Sequence, residues 1–489
     1  MPSPIITVPA EAHVLRTQIR RALIWRSGSQ IVAQMVQWAA TFLVIRLLTP
    51  SDYGLFAMTQ AVILFLNMLN GQGLASGLVQ AREVDQRQVR QLFGMLLAIN
   101  AVLAVTQFAL APVAAAYYRH PQVAEMLRVQ ALIYLTTPFV ALPAAMLSRQ
   151  MDFRHQARAN IAASMASAGT ALGGALSGWG VWTLVAAPIV MFTVRGAMLT
   201  WSARVLVWPS FDFRGAGSLA RFGGVMAVGQ LLWFAQSQTD VLIAGRSFSA
   251  HLLGIYTTSL FLAQIFVSKV VPPLNEVAFS AYARIQDDRG AVARGFVRSV
   301  GIVMLVALPF YLGLAATATP LVLTVLGPKW IETAPLVRLL ALIMPCMTLL
   351  VLYSPACDAS GRPGIGVANG AIGAAILTAA FLVGVRWGPI GLATAWIIAY
   401  PIYLGLATRR VLPVIGVKPG SLLQAIAPPL LAATAMALVV TAVGGVLPPL
   451  PPAATLLLLV TIGAGTYGTW LWVFARSRFA ETVRLIRNR

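Results

Sequence analysis

The sequence is short of charged residues. Of its 489 residues, 10% are charged and 58% are hydrophobic, and the mean hydropathy is +0.80. Soluble domains carry about 25% charged residues, so a shortage along the whole chain excludes a soluble protein with one membrane anchor. Apolar stretches of roughly 20 residues recur instead, which is the length that an α-helix needs to cross a bilayer. The composition therefore predicts an all-α polytopic membrane protein.

Residues with reactive side chains are also scarce. The two cysteines, Cys346 and Cys357, fall in or near one predicted helix and are interpreted as packing residues rather than a disulfide. The four histidines fall in tails or loops. The sequence lacks metal-ligand spacings, a phosphate-binding glycine loop and a pair of acids within one span. We therefore expect a protein that is not an enzyme and that uses no metal or cofactor.

The few charges are mostly positive. The chain has 35 Lys and Arg against 14 Asp and Glu, which gives a net charge of +21. In a membrane protein this excess favours contact with anionic lipid rather than with nucleic acid. We predict 14 spans, which place 27 of the 35 basic residues on one side. Because basic loops stay in the cytoplasm, both termini are expected there.

The predicted spans are separated by short loops on the less basic side. The longest connection on the basic side is 276–294, in which 283–289 is expected to form an interfacial turn or short helix. The predicted spans are 22–47, 54–78, 91–117, 123–148, 157–178, 180–203, 221–245, 253–275, 295–318, 331–355, 364–385, 388–408, 422–446 and 453–475.

An internal repeat organises these spans. The turn from Arg46 to Gly54 reads RLLTPSDYG, and the turn from Arg246 to Gly254, an offset of 200 without a gap, reads RSFSAHLLG. Both copies follow the first span of a half, so the repeat predicts two parallel six-helix lobes with two further C-terminal helices. The expected parts are a cytoplasmic tail (1–20), an N-lobe (21–204), a linker (205–220), a C-lobe (221–412), and helices 13 and 14 with a basic tail (413–489).

Polar residues concentrate in the first two spans of each lobe. In span one Gln30, Gln34 and Gln37 share one helical face, and Gln230 of span seven matches Gln30 at the offset of 200. Asn67 lies in span two. Polar groups are costly in hydrocarbon, so these residues predict a hydrophilic cavity between the lobes. The alternative is that each only forms hydrogen bonds between packed helices.

Charged residues near or within spans are further candidates. Arg195 lies deep in span six without an acid nearby in sequence, a costly position unless the side chain meets water, a carboxylate or an anionic ligand. Asp240 is the carboxylate well within a span, and is either a partner of Arg246 or Arg195 or an ion site. The side chains that could instead cap helices or extend to the bilayer interface are Arg26, Arg46, Arg246 and Lys269.

Several short motifs follow the RLLTPSDYG turn in a set order. They are LSRQMDFRHQA at 147–157, TDVLIAGR at 239–246, LGIY at 253–256 and LGPKW at 326–330. With the 14-span repeat, this order resembles the polysaccharide-transporter branch of the multidrug/oligosaccharidyl-lipid/polysaccharide (MOP) exporters, the O-antigen and exopolysaccharide flippases. The resemblance implies a MATE-like pair of lobes in the bacterial inner membrane. It also implies movement of undecaprenyl-diphosphate-linked oligosaccharide from the cytoplasmic to the periplasmic leaflet, with a polymerase and a chain-length regulator as further partners.

A lipid-linked oligosaccharide with a pyrophosphate head suggests a role for each group of candidate residues. Arginine suits a pyrophosphate because its planar fork donates paired hydrogen bonds, and glutamine and asparagine suit sugars. Asp240 is the ion-coupling candidate. The expected substrate-binding residues are Arg26, Arg46, Arg195, Arg246, Lys269, Gln30, Gln34, Gln37, Gln230 and Asn67.

Other functions are open at this point. A MATE-type multidrug or cation antiporter would need several carboxylates within spans, and this chain offers mainly Asp240. A membrane polysaccharide polymerase or ligase would need a sizeable periplasmic loop, which the spans leave no room for. A scaffold in an export complex would not need polar helices.

Overall fold

The computed structural model describes residues 28, 32–68, 85–204, 207–212, 234, 236–362 and 364–474. Within these ranges the regular elements are α-helices and two short 3-10 helices. The chain divides into two compact units, an N-unit (Met1–Gln230) and a C-unit (Leu231–Arg489).

The described part of the N-unit contains seven α-helices. They are α1 (Val32–Leu47), α2 (Pro50–Asn67), α3 (Gln86–Tyr118), α4 (Gln122–Gln130), α5 (Leu132–Arg149), α6 (Phe153–Leu176) and α7 (Trp182–Ala203).

The described part of the C-unit contains ten α-helices. They are α8 (236–247), α9 (Ala250–Lys269), α10 (Val271–Arg284), α11 (Arg289–Ala316), α12 (Ala318–Val325), α13 (Thr333–Ala359), α14 (Gly364–Gly384), α15 (Gly388–Ile415), α16 (Pro419–Val446) and α17 (Pro452–Phe474), with 3-10 helices at Pro328–Trp330 and Val385–Trp387.

The all-α polytopic fold is confirmed. Each of the predicted spans overlaps a helix of the described chain, and α4 and α5 share one predicted span because the helix is interrupted at Ala131. In the described ranges, nine helical segments are long and apolar enough to cross a membrane. The short helix α12 and the following 3-10 turn were not predicted, because they lie within or beside apolar sequence without a change of hydrophobic pattern.

The repeated turn has the same local geometry in both copies. Thr49 caps the start of α2, and Ser249, 200 residues later, caps the start of α9, each accepting a backbone N–H three residues on. Small hydroxyl residues are favoured here because they satisfy a free N–H of the first helical turn. The preceding helix ends with matching backbone bonds, from the N–H of Leu48 to the C=O of Val44 (2.9 Å) and from Phe248 to Ala244 (2.8 Å).

The turn predicted at 283–289 is confirmed, whereas the rest of the connection 276–294 is helical. Helix α10 continues to Arg284 and α11 already begins at Arg289, so the connection is a turn of four residues, 285–288. Asp288 caps α11 by accepting the backbone N–H of Ala291 at 3.0 Å. The helices extend beyond the apolar stretches because capping and helix propensity do not depend on hydrophobicity.

The motif LSRQMDFRHQA forms the tight turn between α5 and α6. Met151 has a positive φ of 55°, and Asp152 then caps α6. The carboxylate of Asp152 lies 2.6 Å from Nδ1 of His155. Partial burial raises the pKa of Asp152, but its hydrogen bonds with His155 outweigh this and hold the pKa below its usual value. The motif is therefore explained by local turn structure.

The last two helices pack on the C-unit and on each other. Met436 and Val440 of α16 contact Leu459 of α17 in a buried apolar cluster. The hydroxyl of Tyr467 on α17 donates a 2.7 Å hydrogen bond to the backbone C=O of Leu305 on α11. This bond satisfies a phenol within apolar surroundings and fixes α17 against α11.

Residues 207–212 lie against the first turns of α3. The backbone N–H of Ser210 donates to the C=O of Arg90 at 2.9 Å, and the Arg90 guanidinium donates to the C=O of Trp208 at 3.0 Å. Asp212 forms a 3.0 Å ion pair with Arg87. This part of the linker after α7 is therefore bound to α3 through its backbone.

Gly94 allows this close approach, so we expect Gly94→Ala to detach the linker. A Cβ at position 94 would lie 2.1 Å from the backbone oxygen of Ser210. Such overpacking lowers the free energy of unfolding by about 1–3 kcal/mol. Thermal unfolding of the purified protein measures this. Gly169→Ala on α6 is the matched control, because a Cβ there meets nothing within 4 Å and should be neutral or slightly stabilising. Equal melting temperatures for the two variants would contradict the docking.

Candidate functional site

A buried polar chain connects three helices of the C-unit. The hydroxyl of Tyr256 on α9 donates a 2.7 Å hydrogen bond to Oδ2 of Asp240 on α8. The indole Nε1 of Trp396 on α15 donates to the same Tyr256 oxygen at 2.8 Å. Asp240 is 1% exposed, Tyr256 0% and Trp396 3%. An ionisable group so deeply placed in a membrane helix is costly and is typical of a functional site.

Aromatic rings enclose this chain. Tyr400 stacks on Trp396 with ring centroids 4.9 Å apart and planes 9° apart. Phe381 of α14 also packs against the indole of Trp396, with ring centroids 5.5 Å apart. Rings of this kind exclude water and strengthen the hydrogen bonds inside. The carboxylate is therefore held in a low-dielectric pocket.

A second polar contact lies on the same helices. The amide of Gln236 on α8 donates to the hydroxyl of Tyr403 on α15 at 3.3 Å. Tyr403 lies close to α14 at Gly373, where a Cβ would come within 2.6 Å of the phenol ring. On α14, Asn369 is 8% exposed, and its Oδ1 has no hydrogen-bond partner among the described residues. Helices α8, α14 and α15 thus carry further buried or half-buried polar groups.

The first copy of the repeat lacks both members of the central pair. At the offset of 200, Asp240 matches Ala40 and Tyr256 matches Phe56. The acid and the hydroxyl that binds it are replaced together, by residues that need no polar partner. This joint change indicates that the pair is one unit that belongs to the C-unit alone.

Arg195 is the candidate cation inside a span of the N-unit. It is half-buried on α7, and its Nε is a buried atom without a hydrogen-bond partner among the described residues. A guanidinium nitrogen in this state costs free energy unless a ligand or water satisfies it. The observation fits the role of an anion-binding group.

The other candidate residues predicted from the sequence differ in solvent exposure. Arg46 and Arg246 are exposed at the ends of α1 and α8, in equivalent positions of the repeated turn. Lys269 is exposed in the last turn of α9. In the N-unit, Gln34 and Gln37 are half-buried on α1, and Asn67 is exposed at the end of α2. Three candidates, Arg26, Gln30 and Gln230, lie outside the described residues.

The partner of Asp240 differs from those considered in the sequence. The structure gives it a tyrosine hydroxyl, whereas an arginine was expected if Asp240 was paired. Tyr256 stands in the LGIY motif at 253–256 and has no role of its own in the sequence-based predictions. The signal that could have found it is the comparison of the two repeats, in which Tyr256 replaces Phe56 where Asp240 replaces Ala40.

Solved structures define the class of protein. The fold is similar to that of the lipid II flippase MurJ in an inward closed conformation, with a TM-score of 0.76, 12% identity, and coverage of 93% of this chain and 100% of that chain. An inward-facing MATE multidrug transporter of the MOP superfamily matches with a TM-score of 0.60 and 13% identity, over 78% and 95% of the two chains. The chain is therefore a multi-pass membrane protein with the fold of the MOP transporters.

The sequence narrows this class to one family. The model of the polysaccharide biosynthesis protein family matches residues 43–335, and the chain belongs to this family. Similar proteins include the teichuronic acid biosynthesis protein TuaB of Bacillus subtilis (strain 168), 23% identical over 67% of this chain and 68% of its own length. The succinoglycan biosynthesis transport protein ExoT of Rhizobium meliloti (strain 1021) is 26% identical over 68% of each chain.

Proposed function

We propose that this protein is a flippase that moves undecaprenyl-diphosphate-linked oligosaccharide from the cytoplasmic to the periplasmic leaflet. The product would supply the synthesis of lipopolysaccharide, capsule or exopolysaccharide. Support comes from the family and from relatives whose names place them in polysaccharide biosynthesis or its transport. Similarity to a lipid II flippase in fold agrees with a lipid-linked substrate.

The observation that carries the proposal is Arg195. Its buried Nε has no hydrogen-bond partner in the described chain, so a ligand with anionic oxygens would satisfy it. A pyrophosphate offers several such oxygens at the head of the substrate. Arg26, Arg46, Arg246 and Lys269 are the further cations that we propose for the same cationic cavity, and the sugar-binding groups are Gln30, Gln34, Gln37, Gln230 and Asn67.

The transport cycle that we propose is alternating access of the two lobes. Asp240 would couple it to an ion or proton, because it is a buried carboxylate that one lobe holds and the other lacks. A change in the occupancy or charge of Asp240 would alter the bond with Tyr256 and, through it, the contact with Trp396 on α15. These contacts connect the coupling group to two other helices.

The cellular setting is part of the proposal. The bias of basic residues favours the inner membrane with both termini in the cytoplasm. A polysaccharide polymerase and a chain-length regulator are the proposed partners, since they would act on the delivered repeat units. We propose transport rather than polymerase or ligase chemistry for the chain itself.

Deletion followed by lipid analysis tests the function. We expect cells without the protein to lose surface polysaccharide and to accumulate undecaprenyl-diphosphate-linked repeat units on the cytoplasmic leaflet, with both effects reversed by the wild-type gene. Drug sensitivity with normal glycolipid would overturn the proposal in favour of a MATE-type antiporter. Accumulation of unpolymerised repeat units on the periplasmic side would instead indicate a polymerase or ligase.

A further inference from the structure

An apolar groove runs along the surface of the N-unit between α5 and α7. It has a volume of about 640 Å³. Thr193, Gly196, Ala197 and Thr200 of α7 form one wall, and they share a face because they recur at helical spacing. The opposite wall is formed by Leu135, Thr136 and Phe139 of α5.

Small residues and one interhelical bond shape the groove. The hydroxyl of Thr200 donates to the backbone C=O of Phe139 at 3.1 Å, which fixes the distance between the two helices. At Gly196 a Cβ would lie 3.5 Å from the C=O of Thr136, so α5 and α7 are already in close contact beneath the groove. The hydroxyl of Thr193 bonds its own helix at Ile189, leaving a mainly apolar surface. A hydrocarbon chain fits such a surface better than a polar ligand.

Two tryptophans define the depth at which the groove ends. Trp201 lines the groove and is 84% exposed, and Trp208 in the linker after α7 is 85% exposed. Tryptophan is enriched at the membrane–water interface, so this end of α7 lies at the level of the lipid headgroups. From Arg204 to Thr193 the groove runs about 16 Å along the helix. This is about half of the 30 Å hydrocarbon core, and therefore the depth of one leaflet.

A cation closes the groove at the headgroup level. Arg204 follows the last residue of α7, lines the groove and is exposed. Among the described residues, its side chain makes no hydrogen bond or ion pair. A guanidinium placed here would bind the phosphate of a lipid whose chain fills the groove.

We propose that this groove binds one anionic glycerophospholipid of the cytoplasmic leaflet, with an acyl chain between α5 and α7 and its phosphate on Arg204. The length of one leaflet favours an acyl chain over the longer polyprenyl tail of the transported substrate. The positive charge of the chain, +21 in total, favours an anionic over a zwitterionic headgroup. None of the residues that line the groove is a candidate of the proposed transport site, and the inference does not depend on that function.

Phosphatidylglycerol binding to the purified full-length protein tests the site. Native mass spectrometry in detergent would count the lipids retained during titration with phosphatidylglycerol, and phosphatidylcholine of the same chains would be the comparison. We expect one tight phosphatidylglycerol per protein. Arg204→Gln should weaken it about tenfold by removing a charge-assisted hydrogen bond, and Ala197→Leu should fill the groove and weaken it at least as much. Thr193→Leu fills the groove at a second exposed position.

Matched controls separate this site from ordinary lipid contact. Arg158→Gln removes another exposed arginine, and Ala101→Leu enlarges an exposed alanine on α3, so both should retain the lipid. Folding of every variant is followed by thermal unfolding. The proposal is overturned if the groove-filling variants keep the lipid, if the controls lose it equally, or if phosphatidylcholine binds as tightly. Displacement by polyprenyl phosphate alone would assign the groove to the substrate tail instead.

Discussion

Asp240→Asn is expected to lower polysaccharide export at least about tenfold, because it removes a charge-dependent interaction worth about 1.5–3 kcal/mol. The protein should stay folded, since the asparagine carbonyl accepts the hydroxyl of Tyr256 as Oδ2 of Asp240 does, at 2.7 Å in the wild type. What is lost is the ability of the side chain to carry a negative charge or take up a proton. Surface polysaccharide at equal protein level measures the effect.

A stability cycle shows whether the acid and the tyrosine form one unit. Tyr256→Phe leaves the carboxylate and the indole N–H of Trp396 without this hydroxyl, and should lower the free energy of unfolding by about 1–3 kcal/mol. Adding Asp240→Ala restores the residue pair of the first repeat, Ala40 and Phe56. The double variant should be more stable than Tyr256→Phe, with a coupling energy of about 0.5–3 kcal/mol.

The two measurements give independent answers. Normal export by Asp240→Asn would remove Asp240 from the transport cycle, whatever its contribution to stability. Additive effects in the stability cycle would mean that the hydrogen bond is not the reason for the joint replacement at positions 40 and 56. Tyr403→Phe is a useful control, because it removes a neighbouring hydroxyl bound by Gln236 without touching Asp240.

The fold was largely predictable because it depends on local signals. Hydrophobic length sets the spans, and the turn at Arg46–Gly54 has its structural copy at Arg246–Gly254 because hydroxyl caps recur at Thr49 and Ser249. The turn within 276–294 was predicted correctly but the length of the connection was not, since α10 and α11 continue into polar sequence that hydropathy assigns to a loop. Hydrophobicity locates the membrane portion of a helix but not its end.

The candidate site was predictable in part. Charge within a span was enough to single out Asp240 and Arg195, because such residues are rare and costly in hydrocarbon. The partners of Asp240 were not predictable, since Trp396 lies 140 residues from Tyr256 and reaches it only through the packing of α15. Similarly, the groove of the N-unit depends on contact between α5 and α7 and on small residues of α7. The sequence alone does not show which helix these small residues contact.

Arg195→Gln is expected to reduce export at least about tenfold and at the same time to stabilise the protein. The loss follows from removing a charge-assisted contact with the pyrophosphate, worth about 1.5–3 kcal/mol. The gain follows because the buried Nε has no hydrogen-bond partner in the described chain, so the wild type carries the cost of one unsatisfied guanidinium nitrogen. We expect the free energy of unfolding to rise by about 1–3 kcal/mol without substrate.

Opposite signs for export and stability distinguish a ligand-binding arginine from a structural one. Arg195→Lys should retain part of the export, because it keeps the charge but loses the paired donors of the guanidinium. Arg128→Gln is the control: Arg128 is exposed on α4 and lies over the ring of Phe108 at 5.4 Å, so its removal should leave export unchanged. If Arg195→Gln lowered both export and the melting temperature, Arg195 would be a packing residue and the cationic cavity would lose its central member.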